Sequence, residues 1–138
     1  IILDDLAAQG YVLPCRAADA SHQYTGDDTK SYRVVQADEL SRDAILEAIA
    51  QGHFYASQGP RFWIEKKDNG LVVHSTPVKE IVLFTDAVWS DERATVGECV
   101  EEAVYEIQPH ETFVRVELKD AVGNRAWSNF YLTGKAVL

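Results

Sequence analysis

Hydrophobic and polar residues alternate through most of the second half of this chain. From His53 onward apolar side chains recur at every second position, and turn residues divide the chain into short pieces. This is the period of β-strands that bury one face. The predicted strands are Phe62–Lys66, Leu71–Ser75, Glu80–Thr85, Ala103–Gln108, Thr112–Lys119 and Arg125–Thr133.

The clearest of these strands predicts one apolar and one charged face. Val114, Val116 and Leu118 should face the core, and Arg115, Glu117 and Lys119 should face water. Asp68-Asn69-Gly70 and Gly123-Asn124 supply turns between neighbouring strands. Six short antiparallel strands predict an α+β chain that is mainly β, with an immunoglobulin-like β-sandwich in its C-terminal part.

The first half of the chain has helical patterns instead. Apolar residues at helical spacing up to Ala7, followed by Gly10, predict a helix that ends there. A second helix is predicted from Ser41, its N-cap, to Gly52, its stop, with Leu40 and Ile45 spaced as a hydrophobic staple. Between the helices, Tyr11–Ala18 reads as a short buried strand and Asp19–Tyr32 as a polar surface loop.

Composition and charge narrow the function classes. The chain has 138 residues, 46% of them hydrophobic, which suits one ordinary domain or a small domain with an extra piece. A formal charge of −9, from 13 basic and 22 acidic residues, disfavours binding to a phosphate backbone, so we expect no nucleic-acid partner. No apolar stretch is long enough for a membrane span, so we expect a soluble protein, cytoplasmic or exported.

The sequence starts at Ile1 and contains no Met, which led us to expect a piece of a longer protein. Cys15 and Cys99 form no C-x-x-C pair, and we expect buried free thiols rather than a zinc or redox site. Their spacing leaves a disulfide open if the protein is exported.

Histidines are the first candidates for a metal site or a general base. The four are His22, His53, His74 and His110, and no two of them form a local H-x-H or H-E-x-x-H pair. His22 stands out because it follows Asp19 in the polar loop, directly after the predicted strand. A carboxylate and an imidazole suit a divalent metal, although Asp19 and His22 could also simply pair with each other in a surface turn.

Several segments carry a family resemblance when they are taken in order. They are Leu3–Leu6 through Gly10, Ala18–His22, Val34–Ala37 with Leu40, Ala44–Ile49, Gly52–Pro60 and Ala126–Asn129. The most specific is the Gly-x-Phe-Tyr-Ala-Ser-x-Gly-Pro run at 52–60. Together these segments resemble the C-terminal part of the PHP (polymerase and histidinol phosphatase) family, over nearly the whole chain.

The resemblance implies a distorted (β/α)₇ barrel whose His, Asp and Glu ligands hold two or three divalent metals, Zn, Mn or Fe, for hydrolysing phosphate esters. It implies that residues 1–57 are the C-terminal remnant of that barrel and that residues 58–138 form a β-sandwich domain. The partners would then be the upstream barrel of the same protein and a phosphorylated small-molecule substrate. Asp19 and His22 are the metal ligands that it assigns to this chain, with Ala20 where the family usually has the Asp.

Two ligands cannot hold a hydrolytic metal against water, since catalytic zinc sites typically take about three protein ligands. We therefore expect the chain alone to be inactive and the longer parent to be a metal-dependent phosphoesterase. One alternative is a binding or interaction module without catalysis, in which Trp63, Trp127 and Tyr131 form a ligand-facing surface. Another is a degenerate, metal-free PHP homologue, which Ala20 suggests.

Overall fold

Eight strands form one antiparallel sheet in the computed structural model, which describes residues 2–19, 26 and 28–133. The strands are β1 Tyr32–Val35, β2 Phe54–Ser57, β3 Phe62–Lys67, β4 Gly70–Thr85, β5 Ala94–Glu106, β6 Phe113–Lys119, β7 Arg125–Trp127 and β8 Tyr131–Leu132. The helices of the described residues are α1 Ile2–Ala8 and α2 Arg42–Ala50, with a 3-10 turn at Asp91–Arg93. The expectation of a mainly β chain is confirmed.

The long strand β4 organises the sheet. Strand order is β1-β2-β7-β6-β4-β3, while β5 pairs with the other side of β4 and β8 extends along β6 after β7. Register shifts interrupt the β4–β5 pairing between His74 and Val78 and between Val78 and Glu80. Pro77, which cannot donate to the ladder, lies in the first interruption, and Gly97 lies in the second. Such bulges bend a strand and increase its twist, which accounts for the curl of the sheet.

The core lies on one face of this curled sheet. It is formed by apolar side chains from the long strands that are almost fully removed from water. Its members include Phe62, Leu71, Val73, Ile81, Leu83, Tyr105, Val114, Val116, Leu118 and Ala126. Burial of Val114, Val116 and Leu118 confirms the predicted inward face of β6.

Both helices end as the sequence predicts. Gly10, with φ +91°, donates to Ala7 O, and Tyr11 N donates to Leu6 O. Gly52, with φ +77°, occupies the same position after α2. This pair of backbone hydrogen bonds after a left-handed residue is the Schellman ending. At the start of α2 the Ser41 hydroxyl accepts from Ala44 N at 3.3 Å, as expected for its cap.

Two local predictions in the first half are wrong. Tyr11–Ala18 forms no strand, because Pro14 offers no amide and Cys15 N donates to the Asn129 side chain instead of to a neighbouring strand. The hydrophobic staple is also absent, since Leu40 is 96% exposed and cannot pack against Ile45. The N-cap hydrogen bond of Ser41 therefore starts α2 without it.

Several predicted strands are merged, lengthened or divided in the structure. The segments Leu71–Ser75 and Glu80–Thr85 belong to the single strand β4. Of Ala103–Gln108, only the part up to Glu106 is strand, and it forms the end of the longer strand β5. Arg125–Thr133 is divided into β7 and β8. Strands β1 and β2 lie outside the predicted set; each has four residues, and they pair with each other and, through β2, with β7.

Arg115 and Glu117 contradict the prediction that the charged face of β6 is in water. Arg115 is 3% exposed and Glu117 is 9% exposed. The N-terminal segment lies over this face, and Arg115 donates from Nε and Nη2 to the two carboxylate oxygens of Asp4, at 2.8 and 3.0 Å. β6 is therefore buried on both faces, in contrast to the one-faced pattern of its sequence.

Neighbouring groups complete the environment of Arg115. Its guanidinium lies 4.5 Å from the centre of the Phe84 ring, a cation–π distance. Glu117 accepts a weaker contact from Arg115 at 3.5 Å and also pairs with Arg125. Burial alone would lower the pKa of Arg115, but the hydrogen bonds and charge of Asp4 and the charge of Glu117 raise it, so the charge is retained inside the fold.

Replacing Asp4 with Asn should destabilise the chain by about 3 kcal/mol, because the buried guanidinium loses the carboxylate that binds it through two hydrogen bonds and keeps only the weaker contact with Glu117. Urea unfolding followed by circular dichroism measures the change. Asp5→Asn is the matched control, since the neighbouring Asp5 is exposed and its substitution should change stability by less than about 0.5 kcal/mol. Equal stability of the two variants would contradict a stabilising role for this pair.

Candidate functional site

The carboxylate of Asp19 closes the polar loop that the sequence singles out. Its Oδ1 accepts from Ser31 N at 2.7 Å and its Oδ2 accepts from Lys30 N at 3.0 Å. Ser31 directly precedes β1, whose first residue Tyr32 pairs with Ser57 of β2. Asp19 is thus held at the root of the loop, half-buried and connected to the sheet. Each oxygen retains lone-pair capacity for a further contact.

The second predicted ligand, His22, lies outside the described residues, as does Ala20. Among the residues that the structure does describe, no group of three or more His, Cys, Asp or Glu side chains is arranged to hold a metal ion. His53 and His110 are exposed, and His74 is on β4. Asp19 supplies one carboxylate to a metal site that would need further donors.

Segment 52–60, the most specific part of the resemblance, contains Ser57, Gln58 and Gly59 in positions that the structure explains. The Ser57 hydroxyl, fully buried, donates to Pro60 O at 2.7 Å and accepts from Gly59 N at 2.9 Å. Gln58 bonds to Arg125 twice, through its backbone amide and through its side-chain oxygen. A Cβ at position 59 would meet Asn124 at 3.5 Å, with φ +157°. These residues build the exit from β2 and its junction with β7.

The last segment of the resemblance, 126–129, contacts segment 52–60. Asn129 Nδ2 donates to Gly52 O at 2.9 Å and to Phe54 O at 2.8 Å, while its Oδ1 accepts from Cys15 N at 2.8 Å. One amide side chain thus joins the end of α2, the start of β2 and the N-terminal segment. The preceding Ser128 is fully buried, and its hydroxyl accepts from Val116 N at 2.8 Å.

Ser128 and Asn129 also explain why one predicted strand becomes two. The amide of Val116 in β6 donates to the Ser128 hydroxyl, where a regular ladder would supply a backbone carbonyl. The pairing along β6 is therefore interrupted between β7 and β8. Segments 52–60 and 126–129 are therefore joined by direct hydrogen bonds.

Asn129→Ala should destabilise the chain by roughly 2–4 kcal/mol, since it leaves two carbonyls and one amide without this partner. Asn129→Asp keeps the shape and the acceptor but sets a carboxylate against the carbonyls of Gly52 and Phe54, so it should be at least as harmful as alanine. Urea unfolding at neutral pH measures both variants. An Asn129→Asp variant as stable as the parent chain would contradict the assigned hydrogen bonds.

A cavity of about 460 Å³ lies at another place, between the β3–β4 hairpin and the turn after β5. Its lining includes Lys67, Asn69, Gln108, Glu111 and Tyr131, and Asp19 is not among the lining residues. The cavity and the predicted metal ligand are therefore separate features of the described structure.

The carboxylate of Glu111, which is fully buried beside this cavity, is bound by neighbouring groups of the protein. It accepts from the Tyr105 hydroxyl and from Gln108 N at 2.8 Å, and it pairs with Arg93 at 3.1 Å. Such a carboxylate has a structural rather than a catalytic environment, because its charge is already compensated. Sequence reasoning missed this cluster: Arg93 and Glu111 lie in short polar connections with no distinguishing spacing.

The Tyr105 hydroxyl gives this cluster a measurable signature. Burial of the ring and the hydrogen bond to Glu111 raise the pKa of Tyr105 to about 12, against partial opposition from Arg93. An unfolded tyrosine titrates near about pH 10. The protonated phenol therefore contributes stability that is fully present below pH 10 and is lost as the pH rises towards 12.

Tyr105→Phe should remove this contribution, so that its free energy of unfolding falls less steeply above about pH 10 than that of the parent, by up to about 1.4 kcal/mol per pH unit. Urea unfolding at a series of pH values compares the slopes. Tyr11→Phe is the control, because Tyr11 is 65% exposed. Parallel curves for the parent and for Tyr105→Phe would contradict the raised pKa.

Both cysteines are free, but the expectation of buried thiols is wrong for Cys99, which is exposed, while Cys15 is half-buried. Burial is the largest cause that raises the pKa of Cys15, which disfavours the thiolate needed for nucleophilic chemistry. Neither described helix is long and apolar enough to cross a membrane.

The aromatic residues proposed as a ligand-facing surface differ in exposure. Trp63 is 62% exposed, whereas Trp127 and Tyr131 are half-buried. Trp63 stacks on His74, with ring centroids 5.1 Å apart, and each ring nitrogen of His74 lies 3.3 Å from a carboxylate, of Glu65 or Glu102. His74 is thus held in place on its strand by contacts to both of its ring nitrogens.

Comparisons of this chain with protein-family models, with curated proteins and with solved structures found no match.

Proposed function

We propose that this chain is the C-terminal part of a PHP-type metal-dependent hydrolase that acts on phosphate esters. The proposal rests on the resemblance carried by segments 52–60 and 126–129. The observation that supports it is the interlocking of these segments through Asn129, which bonds to Gly52 and Phe54.

In this proposal Asp19 and His22 contribute to a metal centre completed by ligands from upstream sequence. The amides of Lys30 and Ser31 orient the Asp19 carboxylate and connect it to β1, and so to the segment of the resemblance. A divalent metal, Zn, Mn or Fe, would supply a water of lowered pKa and contacts to phosphate oxygens. The substrate would be a phosphorylated small molecule.

The finer description of the fold belongs to the same proposal. Residues 1–57 would be the end of a PHP-like barrel, and residues 58–138 an immunoglobulin-like sandwich. Because β2 pairs with β7, the junction between these parts lies within a continuous hydrogen-bonded sheet. The upstream barrel would then dock against a β unit that already contains the last elements of residues 1–57.

The metal site is tested in a form of the protein extended upstream to include the barrel. His22→Ala should lower both bound metal and turnover of an aryl phosphate by at least about tenfold. His110→Ala is the control, since His110 is exposed in a turn. Metal content by mass spectrometry that is unchanged in His22→Ala would refute the assignment.

The 138-residue chain supplies the second arm of this test. It should show no turnover with Mn²⁺ or Zn²⁺ added, because two ligands do not retain a hydrolytic metal. If this chain alone showed turnover that a chelator abolishes, the proposal that most metal ligands come from upstream sequence would be wrong.

The binding module remains a second candidate, favoured by the exposed and stacked Trp63. A degenerate homologue without metal, suggested by Ala20, is the outcome if the extended protein carries a folded barrel but no metal.

A further inference from the structure

Strand β5 is bonded on one side only within the described part of the chain. It pairs with β4 from Gly70 to Val82, and no described strand lies along its other edge. With 13 residues, β5 is a long edge strand. Its outer edge therefore offers a row of amide and carbonyl groups to an additional strand.

The regular part of this edge is its C-terminal end. From Glu102 to Glu106 the residues pair with β4 without interruption, before the register shifts near Val100. Five residues of extended chain span about 17 Å, at roughly 3.4 Å per residue. This length suits a short extended peptide.

The charges along β5 have one sign. Its charged residues are Glu98, Glu101, Glu102 and Glu106, with no Lys or Arg among them. Glu98 pairs with Lys79 at 2.6 Å and Glu102 contacts His74 at 3.3 Å. The carboxylates of Glu101 and Glu106 have no ion-pair partner among the described residues. Among the described residues nothing neutralises this charge, and a basic partner would do so.

This charge argues against a second copy of the same chain as the occupant. Two β5 edges in contact would bring glutamates close to glutamates, and like charges on neighbouring strands are destabilising. Charged edges commonly prevent such self-association. An edge whose charges served only to prevent self-association would not need exposed apolar residues beside them. Val104, however, is 66% exposed and Trp63 is 62% exposed.

These residues lie on one face of the sheet. Glu102, Val104 and Glu106 alternate along β5, and Trp63 pairs with His74, which pairs with Glu102. A strand added to β5 would place alternate side chains beside this acidic, apolar, acidic series. The complementary sequence has a basic, an apolar and a basic residue at every second position.

We propose that the free edge of β5 binds an extended basic segment of a partner protein by strand addition. Lysine or arginine side chains lie beside Glu102 and Glu106, an apolar side chain lies beside Val104, and backbone hydrogen bonds supply the alignment. The proposal does not depend on the metal-site proposal.

Labelled peptides test it with the 138-residue chain. The probe contains Lys-Thr-Val-Thr-Lys; a second peptide has Glu in place of Lys; a third keeps the charges but carries N-methyl groups on the backbone amides that would pair with β5. Fluorescence anisotropy at low salt should show binding of the first peptide, no binding of the second, and at least about tenfold weaker binding of the third. Amide exchange in Glu102–Glu106 should slow when the first peptide is bound.

Variants locate the site. The double substitution Glu102→Gln and Glu106→Gln should weaken binding of the lysine peptide at least about fivefold. Glu39→Gln, an exposed carboxylate away from the edge, should leave it unchanged, and circular dichroism should show that both variants are folded.

Equal binding of the N-methylated peptide would overturn the proposal, because it would show charge attraction without strand pairing. Equal weakening by Glu39→Gln, or no binding of the lysine peptide, would overturn it as well. The proposal would also be overturned if sedimentation showed that the chain is a dimer and that the Glu102 and Glu106 substitutions change this dimer. The edge would then be occupied by a second copy of the chain.

Discussion

The structure depends on the burial of a charged residue, Arg115, in the middle of β6. A guanidinium is tolerated there because Asp4 binds it through two hydrogen bonds and because Glu117 and the Phe84 ring adjoin it. The same contacts hold the N-terminal segment against the sheet. Without them, β6 would have the solvent-facing side that its alternating sequence indicates.

A second set of polar contacts holds the end of α2 and the start of β2 against the sheet. Asn129 bonds to Gly52, Phe54 and Cys15, and the buried hydroxyls of Ser57 and Ser128 replace backbone partners where the strands are interrupted. Buried polar groups of this kind are costly unless every one of them is paired, and that cost makes the arrangement specific. The residues that resemble a family signature therefore have structural tasks, and the candidate ligand Asp19 is positioned by the same unit through β1.

Charge is distributed unevenly over this fold. The basic residues Arg93, Arg115 and Arg125 are paired with carboxylates inside or at the margin of the protein. Glu101 and Glu106 of the edge strand β5, by contrast, have no ion-pair partner among the residues that the structure describes. Exposed carboxylates such as these contribute to the net charge of −9.

The sequence by itself determined the elements whose causes are local. Gly10 and Gly52 end helices, Ser41 starts one, Asp68-Asn69-Gly70 turns a hairpin, and Val114, Val116 and Leu118 face the core, because each depends on residues a few positions away. It also singled out Asp19 and His22, but not the hydrogen bonds that fix Asp19. Only the tertiary structure decided that β1 and β2 join the sheet, that Tyr11–Ala18 is no strand and that Arg115 is buried. Asp4 and Arg115 are 111 positions apart, and no local pattern in the sequence carries information about a contact at that distance.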